Sequence, residues 1–539
     1  MKLTTDDVLE KIGSFGRYQI MLNIFFNLAY GFWWAFPVMV MVFIASEPGW
    51  KCKNNSTCPF TETISLRHDK YKFRCNIPRE DWEFADDFTS VVTEFDLVCD
   101  RGSLGFVSTS VIFAGFIFGS LSVSTISDKF GRKLPVFVCG FFCCLFNFVS
   151  AFVPAFWVFA LFRAIVGFMI DTGMGRSPEK RAPAYSYPSF PGSMAAAMLP
   201  SKVFASWEGS NLPVDNVDVT GAYSIPMFVL TTELSGIRHR GTAGSLVWIG
   251  YHVFVMILAG IAYFIRDWKH LTIATGAPGI FFVAGWLFIP ESVRWLLKKG
   301  REAEATEVLR KVARKNGKEM PNEALCMPKE ERLGDFRDLF SSRKMAHKTL
   351  GTWLMWFSVS FITWGIAFSA PFLGGNIYVN VVWPKNSSQR RFFLAAVGAV
   401  GALLLSDKAE HDKGYLAGKI FMSMFVAKFS AGIAFTLVYI YAAELFPTTL
   451  RNIAMGTATS WARVSGFASA YAPLLLTVHR FLPFGIMAGL ALAAAIVCMT
   501  LPETHNRPTR ESLSPDPKDQ TNEKYENRTT KDGEVETPM

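Results

Sequence analysis

Apolar runs of about 20 residues, the length an α-helix needs to cross a bilayer, recur along the whole chain between shorter polar stretches. They lie at about residues 18–45, 103–126, 134–153, 242–265, 271–290, 349–372, 416–443, 453–476 and 481–501, with shorter runs at 155–170, 222–234 and 392–406. A soluble globular chain carries about 25% charged residues. This one carries 18%, and half of its 539 residues are hydrophobic, with 50 phenylalanines among them. The pattern specifies an all-α membrane protein that crosses many times.

The formal net charge of +9 could suggest a nucleic-acid partner. However, Lys and Arg cluster in loops between apolar runs, as the orientation rule for membrane helices requires. The expected partner is therefore the lipid bilayer and not nucleic acid. Residues 1–17 mix Asp6, Asp7 and Glu10 with basic residues, and the first run is too long for a signal core. A cytoplasmic N-terminus is expected rather than a cleaved leader.

The loop at 46–101 holds Cys52, Cys58, Cys75 and Cys99 beside overlapping glycosylation sequons at Asn54 and Asn55. An even cysteine count next to sequons implies an extracellular, disulfide-stapled and glycosylated loop. Four cysteines allow three pairings, and the spacing does not choose among them. The basic, helix-patterned loop at 291–348 is expected on the cytoplasmic side. The polar tail at 505–539 is expected there too, disordered.

Two signals recur at nearly one offset. Glu233 precedes Arg240 by seven residues, as Glu444 precedes Arg451, and Pro290-Glu291-Ser292 is echoed by Pro502-Glu503-Thr504. A helix bundle at 18–290 and a second at 349–504, joined by the basic loop, form a repeat-built transporter. Against that repeat, residues 171–220 read as an insertion that interrupts the fourth helix. The stretch from about 373 to 391 is too short and polar for another crossing, so the eighth helix is missing.

Arg163, Lys428 and Arg463 are cations within apolar runs. Each costs roughly 2.5–3.5 kcal/mol on insertion scales and should face the bundle interior or a cavity. Lys428 and Arg463 suit an anionic group, while Arg163, four residues before Gly167, suits a structural role. Of the many aromatic residues, Trp356, Trp364 and Tyr439 are deep enough to line a cavity, where rings can stack on flat groups or hold ammonium groups. Cys139, Cys143 and Cys144 have no His or carboxylate beside them and read as small packing residues, so no metal site is expected. There is no phosphate-cradling glycine loop and no nucleophile–base pair. Neither catalysis nor a cofactor is expected.

Taken together, SDKFGRK at 127–133, RAIVG at 163–167, PESVRWLLKKGR at 290–301, YIYAAELFPTTLRN at 439–452 and LPET at 501–504 resemble the organic cation, anion and carnitine transporter family of the major facilitator superfamily. The resemblance covers nearly the whole chain outside 171–220 and the tail. It implies twelve helices in two six-helix bundles, a plasma-membrane location and alternating access around a central cavity for a small organic ion. It implies that Arg463, Lys428, Trp356, Thr363, Trp364, Thr436 and Tyr439 meet the substrate. It assigns Asp128, Gly131, Arg132, Arg163, Glu233, Arg240, Glu291, Arg294, Glu444 and Arg451 to gating motifs. Cation-selective members carry an acidic residue where this chain has Arg463, so an organic anion or a carnitine-like zwitterion is favoured over a cation. Ser124 departs from the glycine that usually opens the loop motif, and Thr363-Trp364 departs from the usual aromatic pair. A cation transporter, or a membrane paralogue or sensor that does not transport, are the other readings. The sequence carries no sign of oligomeric state.

Overall fold

The computed structural model describes residues 5–122 apart from 54–57, 61, 67 and 68; residues 131–170, 239–321 and 336–369; residues 448–502 apart from 480; and isolated positions within 227–236 and 422–446. The expected insertion at 171–220, the eighth-helix gap and the tail at 505–539 lie outside the described residues. Among the described residues, six helices are long and apolar enough to cross a membrane, and two shorter apolar helices accompany them.

In chain order the helices are α1 (Thr5–Lys11), α2 (Arg17–Tyr30), α3 (Gly102–Ser122), α4 (Lys133–Val149), α5 (Phe156–Ile170), α6 (Arg240–Phe264), α7 (Trp268–Ile280), α8 (Val293–Lys298), α9 (Glu302–Asn316), α10 (Arg343–Phe368), α11 (Thr448–Ser469), α12 (Ala472–Val478) and α13 (Leu482–Thr500). The spans α2 to α7 form one half of the molecule and α10 to α13 the other.

α2 opens the first membrane span, helix 1 (Arg17–Ile44), which does not run straight. Pro37 has no N–H to give the carbonyl four residues back. The helix accordingly widens into a π-turn at Gly31–Ala35 and continues as two short pieces, Phe36–Met39 and Met41–Ile44. Carbonyls released at such a break need partners inside the bilayer. Here the Cys143 thiol donates to Trp33 O at 3.2 Å and the Cys144 thiol to Phe32 O at 3.6 Å. These cysteines thus do more than pack.

Small residues set the closest helix contacts. A Cβ on Gly115 of α3 would come well under 3.0 Å from Ala164 O of α5, and one on Gly167 would meet Ile112 O of α3 as closely. Glycine lets the two backbones touch, as at membrane helix interfaces generally. α10 and α11 are joined by hydroxyls: Ser360 Oγ donates to Ala462 O at 2.8 Å and Ser465 Oγ to Phe357 O at 2.6 Å.

The 46–101 loop folds as a lid. β1 (Trp50–Cys52) pairs antiparallel with β2 (Trp82–Phe84), with Cys52 opposite Trp82. The disulfides are Cys52–Cys58 and Cys75–Cys99. Trp50 and Trp82 are buried, and the Arg74 guanidinium lies 4.2 Å from the Tyr71 ring while ion-pairing with Glu47. The lid is fastened to the start of α7. Thr89 Oγ1 donates to Asp267 Oδ2 at 2.9 Å and accepts the Trp268 N–H, and Lys269 pairs with Glu94 at 2.6 Å. Asn54 and Asn55 lie outside the described residues.

Candidate functional site

Among the described residues, contacts between the two halves gather on the lid side. Tyr30 and Trp34 lie one turn apart on helix 1 and stack at 5.5 Å. The Trp34 ring meets Tyr251 of α6 edge-on at 4.9 Å and reaches across to Trp364 of α10 at 6.3 Å. From α3, Phe113 sits against Trp364 at 5.3 Å and Phe368 at 5.8 Å. The Phe113 ring fills a notch on α11 at Gly466, where a Cβ would come well under 3.0 Å from it. One turn nearer the lid, Ser110 Oγ and Tyr471 OH share a hydrogen bond of 3.1 Å. These rings seal the space between the halves. Above the seal a cavity of about 50 Å³ is lined by Glu47 and Val92 of the lid, Gly105 of α3, and Phe368 and Pro473 of the other half.

Arg463 lies beneath that seal. It precedes Gly466 by three residues, so the two share a face of α11. Because Gly466 faces Phe113 of the opposite half, Arg463 belongs to the face turned toward that half, one turn further from the lid. Its Nη1 donates to Thr459 O at 2.9 Å, and the side chain is half-buried. Trp356 is fully buried, while Thr363 and Trp364 are half-buried, with Thr363 Oγ1 tied to Val359 O. Of the expected substrate-facing set, the structure brings Trp364 into the ring cluster. Lys428, Thr436 and Tyr439 lie outside the described residues.

On the opposite, basic side Gly131, Arg132 and Glu233 of the expected motif residues gather around Glu291 and its neighbour Ser292. Gly131 turns the chain at φ +101, and Glu291 enters the turn. Its Oε1 accepts the backbone N–H of Arg132 at 2.8 Å and of Lys133 at 3.2 Å, and also that of Ser292 at 2.8 Å. A carboxylate at the N-terminus of α4 also suits the helix dipole. Burial nonetheless raises the Glu291 pKa above its usual value, against the pull of those N–H donors and of Arg132. Ser292 Oγ in turn donates to the buried carboxylate of Glu233. Arg294 pairs with Asp6 of α1 at 2.6 Å. Asp128 and Glu444 lie outside the described residues, as do the side chains of Arg240 and Arg451.

Arg163 takes a separate place. Fully buried, it donates from Nη1 to Asn147 Oδ1 at 2.5 Å and from Nη2 to Pro37 O, at the break in helix 1.

Sequence reasoning missed Tyr30, Trp34, Tyr251 and Phe113 in the seal, and Asp6, Ser292 and Asn316 on the basic side. Tyr30 and Trp34 are i,i+4 neighbours that a helical wheel would have paired. Asn316 gave no local signal: its amide holds Ile12 O, and its Oδ1 the Tyr18 N–H, nearly 300 residues away in sequence.

The fold is that of solved transporters. The xylose transporter XylE of E. coli in a partially occluded inward-open conformation superposes with a TM-score of 0.55, at 12% identity, covering 91% of this chain and 99% of that one. Its inward-open form gives 0.53 at 14% identity, covering 91% and 98%. The sugar (and other) transporter family model matches residues 69–178, 220–381 and 388–512. The organic cation/carnitine transporter 2 of Homo sapiens is 30% identical, covering 80% of this chain and 73% of that protein. The organic cation transporter protein of Drosophila melanogaster is 27% identical, covering 94% and 93%. The chain belongs to the organic cation, anion and carnitine transporter family of the major facilitator superfamily.

Membership makes the chain a multi-pass membrane transporter and not an enzyme. In this transporter family member the rings of the seal come from both halves.

Proposed function

We propose that the protein carries small organic ions across the plasma membrane by alternating access, with organic anions or carnitine-like zwitterions preferred over cations. The observation that carries the preference is Arg463, a guanidinium on the α11 face turned to the opposite half, one turn beneath the Phe113–Gly466 seal. At membrane depth a cation has few favourable partners. A substrate carboxylate can take a bidentate pair from it, and the rings of the seal, Trp34 and Trp364 among them, can hold an ammonium group on their faces. Lys428, Thr436 and Tyr439 belong to the same proposed site.

Alternating access is supported by where the halves touch. Among the described residues, ring packing and the Ser110–Tyr471 hydrogen bond close the lid side, and both can part without breaking a covalent link. The lid, with its sequons, would face outward, and the basic side with residues 291–348 would face the cytoplasm. The gating set of Asp128, Gly131, Arg132, Glu233, Arg240, Glu291, Arg294, Glu444 and Arg451 would then govern the cytoplasmic closure.

Uptake of labelled carnitine, a dicarboxylate and a cationic amine into proteoliposomes tests the preference. Carnitine or dicarboxylate should enter fastest, and Arg463→Asp should abolish that uptake while sparing or raising uptake of the amine. Faster amine uptake by the unaltered protein would overturn the anion reading.

A further inference from the structure

We infer that the C-terminal end of α9 and the first residue of α2 form a binding site for the headgroup of an anionic phospholipid. α9 is amphipathic. Ala305, Val308, Leu309, Val312 and Ala313 are buried against the rest of the basic side, while Arg310, Lys311, Arg314 and Lys315 are exposed. Other cations along this helix are already matched, Arg301 at its N-terminal end by Glu304 at 2.6 Å and Lys311 by Glu307 at 3.0 Å. Arg17, Arg314 and Lys315 have no acidic partner within ion-pair distance among the described residues.

The helix end is joined to the start of the first span. Asn316 Oδ1 accepts the Tyr18 N–H at 3.0 Å, and Lys315 Nζ lies 5.8 Å from the Tyr18 ring. Arg17 is exposed and heads a stripe on α2 whose members are Met21, Ile24 and Leu28, at spacings of four, seven and eleven residues. Those side chains are 42%, 57% and 42% exposed. On a membrane span, exposed apolar side chains at helical spacing mark the face turned to lipid tails. The three cations therefore sit where that lipid face meets the headgroup layer.

Cations at a helix C-terminus also complement its dipole, which accounts for Arg314 and Lys315 in isolation. It does not account for Arg17, at the N-terminus of another helix, where a cation opposes the dipole. A shared anionic ligand accounts for all three. Basic residues just outside a span attract phosphatidylserine and phosphoinositide headgroups, by about fivefold in affinity each.

Native mass spectrometry of the purified full-length protein tests the inference. The probes are phosphatidylserine, phosphatidylcholine and the soluble headgroup glycerophosphoserine. The unaltered protein should retain phosphatidylserine over phosphatidylcholine, and Arg17→Gln/Arg314→Gln/Lys315→Gln should cut that preference at least about tenfold. Arg17→Lys/Arg314→Lys/Lys315→Arg should keep it. Glycerophosphoserine, lacking acyl chains, should not displace the lipid. If the triple glutamine variant does not fold, Lys315→Gln alone should lower the preference by about fivefold. No preference in the unaltered protein, or an unchanged preference in the glutamine variants, would overturn the site. Displacement by glycerophosphoserine would show a soluble-anion site instead.

Discussion

Gly131 and Glu291 are fitted to each other across 160 residues of chain. Gly131 turns the backbone at φ +101, and a Cβ there would come well under 3.0 Å from the Glu291 carboxylate. An alanine at this position would meet two penalties at once, a left-handed backbone of about 1–2 kcal/mol and displacement of the carboxylate from three backbone N–H groups. Gly131→Ala should lower the unfolding temperature of the purified protein and depress uptake. Gly300, also at positive φ but with open space around its Cβ position, supplies the control. Gly300→Ala should show the backbone strain alone, and equal losses in the two variants would refute a specific role for the Gly131–Glu291 fit.

Glu291 should also leave a signature in the pH dependence of stability. Burial lifts its folded-state pKa above the ordinary value of 4.5. The folded protein then holds this proton to higher pH than the unfolded chain does. The contribution is fully stabilising below the unfolded value and is lost as pH rises through the folded one. The unfolding temperature of the unaltered protein should thus fall, as pH rises above the ordinary carboxyl value and through the raised folded one, by an increment that Glu291→Gln lacks. Parallel pH profiles for the two proteins would sink this reading.

The spans were legible because their driving force is local: about 20 apolar residues make a crossing whatever surrounds them. The disulfide pairing was not, since four cysteines in one loop allow three pairings, and only the fold of that loop sets Cys52 against Cys58 and Cys75 against Cys99. The motifs carried Glu291 and Gly131 onto one list but not into contact, and nothing local shows that Ser292 bridges Glu291 to Glu233. Trp34 illustrates the limit best. An aromatic in an apolar run can face lipid, core or cavity, and only the helix 1 break at Pro37 and the approach of Trp364 decide which.

The Phe113–Gly466 notch should set the balance between lid-side closed and open forms. Small-to-large changes in packed interiors cost about 1–3 kcal/mol, so Gly466→Ala should shift that balance by about tenfold toward the open form. A cysteine introduced at Ala470, buried beside the seal, reports the shift through its rate of labelling by an impermeant thiol reagent. Labelling should accelerate in Gly466→Ala and return toward the original rate when Phe113→Ala removes the clashing ring. An unchanged rate in Gly466→Ala would mean that the notch does not hold the seal.

Arg163 and Asn147 should behave as a coupled pair. The guanidinium is fully buried, with its charge met by Asn147 Oδ1 at 2.5 Å and by the Pro37 carbonyl. Asn147→Leu leaves that cation with one named partner fewer, and a buried polar group stripped of its partner loses about 1–3 kcal/mol. Arg163→Met frees the Pro37 carbonyl and the Asn147 amide together, and should be as damaging. The double variant removes the charge and its partner at once, and replacing both members of a buried polar pair by apolar groups is often nearly neutral. Its loss should therefore be smaller than the sum of the single losses by at least about 1 kcal/mol, read from thermal unfolding in one detergent. Strict additivity would show that Arg163 acts through packing alone, and that the carbonyl released at the helix 1 break does not depend on it.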